Sequence, residues 1–313
     1  MDPNFTFVLT PIEVQCDVPV EMIPGHWLAR ATINQTLAIK EFLESLGSLY
    51  FDVHYEFAFG PNPDPQTGTN SVTGTRISSE QWRYWVINYE GPNVSSGRLA
   101  TALQLIEPPI ELGFDAIRSP VDPPHYAFVS RRGAVFTFFE DLVLRLNNPA
   151  IVTASSWTEA RSLFELLGAL EKEHPEVWRA IQNFEQTKML PRDSTMSALA
   201  LFAVMESLIT HDPKVTFDSL NHQVATKMTL VGKRFNVPLD YSPFAGLSTP
   251  EKTWKKIYAY RSAIAHGDKL EFDGELQALK SHQTVLEFVK IAVRRLLAFS
   301  VRDPALIADL KKC

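Results

Sequence analysis

The sequence predicts an α+β chain: a β-rich N-terminal domain over residues 1–150, then an all-α helical bundle over residues 151–313. Three observations carry this expectation. Before Pro149, aromatic and β-branched residues recur at period two, the mark of half-buried strands. After it, apolar residues recur at helical spacing. The charge balance changes at the same place: residues 1–150 hold nine Lys/Arg against 17 Asp/Glu, a net of −8, and residues 151–313 hold 21 against 19, a net of +2. A length of 313 residues gives room for about two domains.

The N-terminal elements follow in order. Phe5-Thr-Phe-Val-Leu-Thr alternates loosely and stops at Pro11. Asn34 to Leu46 carries apolar residues at 37, 38, 39, 42, 43 and 46 and predicts a helix. Tyr50 to Phe59 and Gln81 to Tyr89 each alternate and predict strands. Between them, Gly60 to Ser79 is rich in Pro, Gly, Thr and Asn and predicts an exposed loop. Pro120 to Pro124 interrupts the pattern again. Tyr126-Ala-Phe-Val-Ser and Ala134-Val-Phe-Thr-Phe-Phe then flank Arg131-Arg132-Gly133 as two arms of a hairpin.

The domain boundary is placed near 148–156. Trp157 to Glu173 has helical spacing. Pro175 suits the first turn of the next helix, with Trp178, Ile181 and Phe184 along it. Asp193-Ser194-Thr195 offers caps for the apolar run Met196 to Ile209, which encloses Glu206. Residues 216–235 predict another helix, and Asn236 to Leu247 a loop. Ser248-Thr-Pro-Glu251 reads as a capping box with an early proline, launching a helix that Gly267 stops. Glu275 to Val301 predicts a long closing helix.

Composition narrows the function classes. The chain is 45% apolar and 21% charged, a globular rather than disordered balance. No window approaches the roughly 18 continuous apolar residues of a membrane span, and the first residues lack a signal-peptide pattern. Cys16 and Cys313, at opposite ends, build no disulfide framework or zinc site. A cytoplasmic protein with no membrane partner is expected. The net charge of −6 argues against a general nucleic-acid coat. From Glu251 to Lys269, however, Lys252, Lys255, Lys256, Arg261 and Lys269 face only Glu251 and Asp268. This strip is either a solvated helix face or a polyanion contact.

The chemistry-bearing motif is Arg261-Ser262-Ala263-Ile264-Ala265-His266, closed by Gly267. An imidazole can take a proton from a ribose 2′-hydroxyl or give one to a leaving 5′-oxygen. A guanidinium matches phosphate oxygens and stabilises the phosphorane charge. Such cleavage needs no cofactor or metal. Positions five apart differ by about 140° around a regular helix, so Arg261 and His266 share a site only if the last turn changes pitch or two copies of the helix pair. On spacing alone, a histidine here also reads as an ordinary helix cap.

From Ser194 to about Ser300 the chain resembles the HEPN superfamily, in its ApeA-like branch. The matching pieces are ALALFAVMESLIT over 198–210, the loop with Pro238 and Tyr241, and KKIYAYRSAIAHGD over 255–268. The resemblance implies a helical-bundle domain and a homodimer that pairs the motif helices. It further implies metal-independent endoribonuclease activity on RNA, often in a toxin or antiphage effector of abortive infection. It places Arg261 and His266 at the catalytic pair and Ser262 at a position where polar residues are common. Some members of the superfamily serve as dimerisation or adaptor modules.

Other residues have open readings. Glu206 in its apolar helix either takes part in catalysis or pairs a basic group, Arg261 or a neighbouring lysine, and orients it. Asp268 and Lys269 either tune His266 and contact RNA or are solvated surface. Lys255 and Lys256 are RNA-contact candidates. Tyr258 reads as core, and His211, His222 and His282 as ordinary polar residues without metal-ligand spacing. Trp82, Tyr84 and Trp85 suit base stacking or, more simply, a strand core. The first expectation is a dimeric HEPN ribonuclease whose acidic N-terminal domain senses a phage-derived or other trigger. The second is a non-enzymatic dimerising adaptor whose N-terminal domain binds a protein or small ligand. A third is a carbohydrate- or lipid-binding β-domain with an uninvolved helical tail.

Overall fold

A computed structural model of the chain describes residues 3–46, 53–63, 70–91, 93, 95–119, 125–130, 149–191, 193–211, 219–244 and 246–312. It is mixed α+β, an antiparallel sheet followed by a helical region. The chain divides into two compact units, Met1–Ser162 and Leu163–Cys313.

The first unit contains the strands β1 (Asn4–Val8), β2 (Ile12–Gln15), β3 (Val20–Ile23), β4 (His26–Arg30), β5 (Phe57–Pro63), β6 (Asn70–Arg76), β7 (Trp85–Tyr89), β8 (Leu112–Arg118), β9 (Tyr126–Ser130) and β10 (Ala150–Thr153). Six of them form one sheet in the order β3-β4-β7-β1-β8-β9, antiparallel at every join. Strand β1 lies inside this sheet, and four of its five residues are buried. That explains why its sequence alternates only loosely: a strand covered on both faces has no solvent side to mark with polar residues. Phe5 and Phe7 join Tyr84, Val86, Phe114 and Ala116 in one core, against Ile39 and Leu43 of α1 (Ile33–Ser45). On the other parity, Thr6 is buried, and its hydroxyl donates to Asp115. Helix α1 starts where a cap exists: Thr32 accepts from the Gln35 N–H, and the Gln35 side chain reaches back, a complete capping box.

Three expectations for this unit are corrected. The strand read over Tyr50 to Phe59 is, from Val53 to Glu56, a helical turn (α2), and β5 begins only at Phe57; residues 50–52 lie outside the described residues. The turn puts the consecutive Tyr55 and Glu56 both in the interior, a pattern that a strand with one solvent face does not give. The Tyr55 hydroxyl donates to the Leu9 carbonyl. The loop read over Gly60 to Ser79 instead contributes both arms of an antiparallel ribbon, from Phe57 opposite Arg76 to Pro63 opposite Asn70. Pro61 and Pro63 are compatible with a strand because residues two apart aim their backbone nitrogens at the same side, and a two-stranded ribbon leaves one side unpaired. Within the strand read over Gln81 to Tyr89, the strand itself is Trp85–Tyr89, after a 3₁₀ turn at Ser79–Gln81. The hairpin turn at Arg131–Gly133, the arm Ala134 to Phe139 and the Pro120 to Pro124 break fall outside the described residues. Helix α3 (Ser96–Leu105), strand β8 and the parallel pairing of β10 with β2 were not anticipated.

Helix α4 (Ala154–Glu173) contains the point of division between the units, after Ser162. The second unit continues with α5 (Pro175–Thr187), α6 (Thr195–Ile209), α7 (Leu220–Gly232), α8 (Pro250–His266), α9 (His282–Arg302) and α10 (Pro304–Lys312). Helix α6 is the central one, touched by α5, α7, α8, α9 and α10. A helix surrounded in this way is apolar on most sides, which accounts for its sequence. Pro175 occupies the first turn of α5, and Ser194 caps α6 by accepting from the Ser197 N–H. The closing helix begins at His282 rather than Glu275, because Lys280 adopts a left-handed φ of 65° and Ser281 then caps the helix through the Thr284 N–H. Among the described residues no helix is long and apolar enough to cross a membrane.

Candidate active site in the C-terminal unit

The motif lies on α8, and its placement begins with the cap. Thr249, not Ser248, is the N-cap; its hydroxyl accepts from the Lys252 N–H, and Pro250 fills the first turn. The expected Ser248–Glu251 box is therefore displaced by one residue, with Lys252 at the third helical position. An aromatic cluster fixes this end of the helix. Trp254 and Phe244 both pack on Phe288 of α9, with ring centroids 5.4 and 5.0 Å apart. The Trp254 indole N–H donates to the Tyr241 hydroxyl at 3.0 Å.

At the other end, Gly267 takes φ 76°. Its N–H bonds the Ile264 carbonyl, and the Asp268 N–H bonds the Ala263 carbonyl. Both are backbone caps of the Schellman type. They satisfy the Ala263 and Ile264 carbonyls from the backbone, and the His266 side chain is exposed. Gly267→Ala is expected to lower stability by about 1–2 kcal/mol, the cost of left-handed backbone for a residue with a Cβ; thermal unfolding against Gly267→Asn, which tolerates this region better, checks it.

Arg261 is engaged. Its Nε donates to Glu206 Oε1 at 3.0 Å and its Nη2 to Glu206 Oε2 at 3.2 Å. This side-on fork crosses from α8 to α6 and is only partly exposed, 27% at Arg261 and 15% at Glu206. The pair answers the question left open for Glu206: it binds the arginine of the motif. The Arg261 Cζ lies 5.6 Å from the centroid of the Tyr258 ring, and that ring meets Phe202 of α6 edge-on at 6.3 Å. Burial, and then the charge of Glu206, push the Tyr258 hydroxyl up to about 12.

The remaining candidates are dispersed. Ser262 is half-buried beside Arg261, and Asp268 is exposed; its contribution in the structure is the backbone cap. Lys255 pairs with Glu251 at 2.7 Å across one turn. Lys269 lies 3.7 Å from Glu271. Such exposed pairs are worth at most about 1 kcal/mol. Lys256 is half-buried on the same helix. The helix stays α-helical through His266, so the change of pitch that would bring Arg261 and His266 together within one chain does not occur. They leave the helix about 140° apart.

His282 has a larger structural role than its sequence suggests. Its Nδ1 accepts from the Tyr260 hydroxyl, and its Nε2 donates to the Asp193 carbonyl at 3.0 Å. It thus ties the motif helix to the start of α9 and to the turn before α6. Tyr260 is fully buried, and burial holds its hydroxyl above the ordinary tyrosine range. His282→Ala is expected to cost about 1–3 kcal/mol, because a buried hydroxyl loses its acceptor, with little effect from Tyr260→Phe on top of it; unfolding of the single and double variants tests this. In the first unit, Tyr84 and Trp85 are buried, and Trp82 is packed by Lys40 and Arg76, so this aromatic group serves the core.

Among the described residues no group of three His, Cys, Asp or Glu side chains is gathered as a metal site. No family model, curated protein or solved structure matches the chain.

Proposed function

We propose that the C-terminal unit is a HEPN-type endoribonuclease that works as a homodimer, in the manner of a cytoplasmic antiphage or toxin effector. The observation that carries this reading is the state of the motif pair: Arg261 is oriented by a carboxylate from a second helix, while His266 is exposed at a helix end that the backbone already caps. A cation held in place and an exposed imidazole are what cleavage through a 2′-hydroxyl requires. Because the two leave one helix about 140° apart, the reaction is assigned to a cleft between two copies of α8, in which one chain's Arg261 faces the other's His266. His266 takes the 2′-hydroxyl proton and, as the imidazolium, returns it to the leaving 5′-oxygen. Arg261 stabilises the phosphorane. Lys255, Lys256 and Lys269 steer the RNA, and the first unit is assigned the response to a trigger. The products are a 2′,3′-cyclic phosphate, or the 3′-phosphate, and a 5′-hydroxyl.

Incubating the full chain with RNA and with the same sequence as DNA, in EDTA, tests this. RNA cut to 5′-hydroxyl ends, with DNA intact, supports the reading. RNA left whole in EDTA and with divalent ions, with or without candidate triggers, favours the dimerising adaptor. One observation favours that second reading: the Arg261–Glu206 fork is also the form a purely structural ion pair takes.

A further inference from the structure

The fork leaves one question about Arg261. Two donors of the guanidinium, on Nε and Nη2, are spent on Glu206. A planar fork sets the plane in which the guanidinium lies relative to the carboxylate, but it does not prevent the pair from swinging together toward solvent. Arg261 is more than a quarter exposed, so a second restraint matters.

Tyr258, one turn earlier on the same helix, supplies a surface on that side. Its ring centroid is 5.6 Å from the Arg261 Cζ, within the range at which a cation is attracted to an aromatic face. The ring is itself held: it is only 8% exposed, and Phe202 of α6 meets it at 87°. Phe202 and Glu206 lie four residues apart on α6, one turn, so a single helix face braces both the ring and the carboxylate. Among the described residues, the Arg261 edge formed by Nη1 and the outer hydrogen of Nη2 has no hydrogen-bond partner.

We infer that Tyr258 is a positioning residue for Arg261, holding the guanidinium against Glu206 so that its Nη1 edge is offered to a non-bridging oxygen of the scissile RNA phosphate. This rests on the nuclease reading. The ring acts before substrate arrives, removing motions that would otherwise have to be frozen during the reaction. Its effect therefore falls on turnover rather than on binding, which the lysines carry.

The experiment uses the full chain in two arms. In the first, side-chain ¹⁵Nε relaxation of Arg261 is measured in wild type, Tyr258→Phe and Tyr258→Leu without RNA. The inference expects Arg261 to be ordered in wild type and Tyr258→Phe, which keeps the ring, and to gain nanosecond motion in Tyr258→Leu. Equal order in all three overturns it, whatever the protein's activity. In the second arm, a short RNA oligonucleotide is cleaved in EDTA. Tyr258→Leu is expected to lose about ten- to a hundredfold in kcat, with KM within about twofold, and Tyr258→Phe to recover most of that loss. A purely structural tyrosine would lower the melting temperature in Tyr258→Leu and leave kcat per folded molecule unchanged, which overturns the inference. Wild type that cuts no RNA while the relaxation arm succeeds removes the nuclease reading and leaves Tyr258 as a brace for an ion pair; this too overturns the assignment to a phosphate.

Discussion

Replacing His266 with alanine is expected to reduce RNA cleavage by about 10²–10⁴-fold, the usual contribution of a positioned proton-transfer group, while the melting temperature stays within about 1 °C of wild type. The two halves of this expectation come from different observations. The loss follows from the proposed role of the imidazole. The unchanged stability follows from the helix end, where the Gly267 and Asp268 N–H groups bond the Ile264 and Ala263 carbonyls and His266 is exposed. Arg261→Ala should reduce cleavage by about 10²–10³-fold but behave differently in unfolding. It strands the Glu206 carboxylate, 15% exposed, in an apolar helix, so it is expected to destabilise the chain measurably. The double variant Arg261→Ala/Glu206→Ala should regain stability without regaining cleavage. That divergence separates a catalytic arginine from a structural one.

The second large effect belongs to the first unit and to stability. Glu56 is fully buried, and its carboxylate accepts from Lys40 Nζ at 2.6 Å, Arg76 Nη2 at 2.8 Å and the Tyr84 hydroxyl at 3.1 Å. It joins α1, the foot of the β5–β6 ribbon and β7's approach into one cluster. Burial alone would raise the carboxyl's pKa; the hydrogen bond and charge of Lys40, with Tyr84 and Arg76, outweigh it and leave it lowered from 4.5. Glu56→Ala removes the acceptor shared by all three donors and is expected to cost about 3–5 kcal/mol, seen as a lower unfolding midpoint in urea. The sign of the pH dependence follows from the direction of the shift. A carboxyl whose folded pKa lies below its unfolded value stabilises the fold above the unfolded value, and that stabilisation disappears as pH falls through the folded one. The wild-type midpoint should therefore fall between pH 5 and acid, and Glu56→Gln should flatten that part of the profile. An unchanged profile in Glu56→Gln would assign the acid limb to other carboxylates.

These two sites differ in how far they can be read from sequence. Signals confined to one turn are legible: Pro175 and Ser194 start helices where expected, and Gly267 stops one. The charge at Glu206 in an apolar helix is visible as an anomaly, but its partner lies 55 residues away, and no local pattern selects Arg261 over a neighbouring lysine. Glu56 is harder. Its donors come from positions 40, 76 and 84, and the alternating residues around it imitate a strand. The ribbon from Phe57 to Arg76 was missed because its Pro, Gly, Thr and Asn residues carry loop composition, whereas its order comes from a backbone ladder that composition does not encode. Tyr258 is legible as core, but its position over Arg261 depends on Phe202 of another helix.

The proposed site requires Arg261 of one chain to meet His266 of another. Mixing Arg261→Ala with His266→Ala tests that claim most directly, with native mass spectrometry showing that mixed dimers form. Each mixed dimer keeps one chain's arginine and the other chain's histidine, so the mixture is predicted to cut RNA in EDTA well above the residual rate of either variant alone. A mixture as inert as its components, with mixed dimers present, would contradict it.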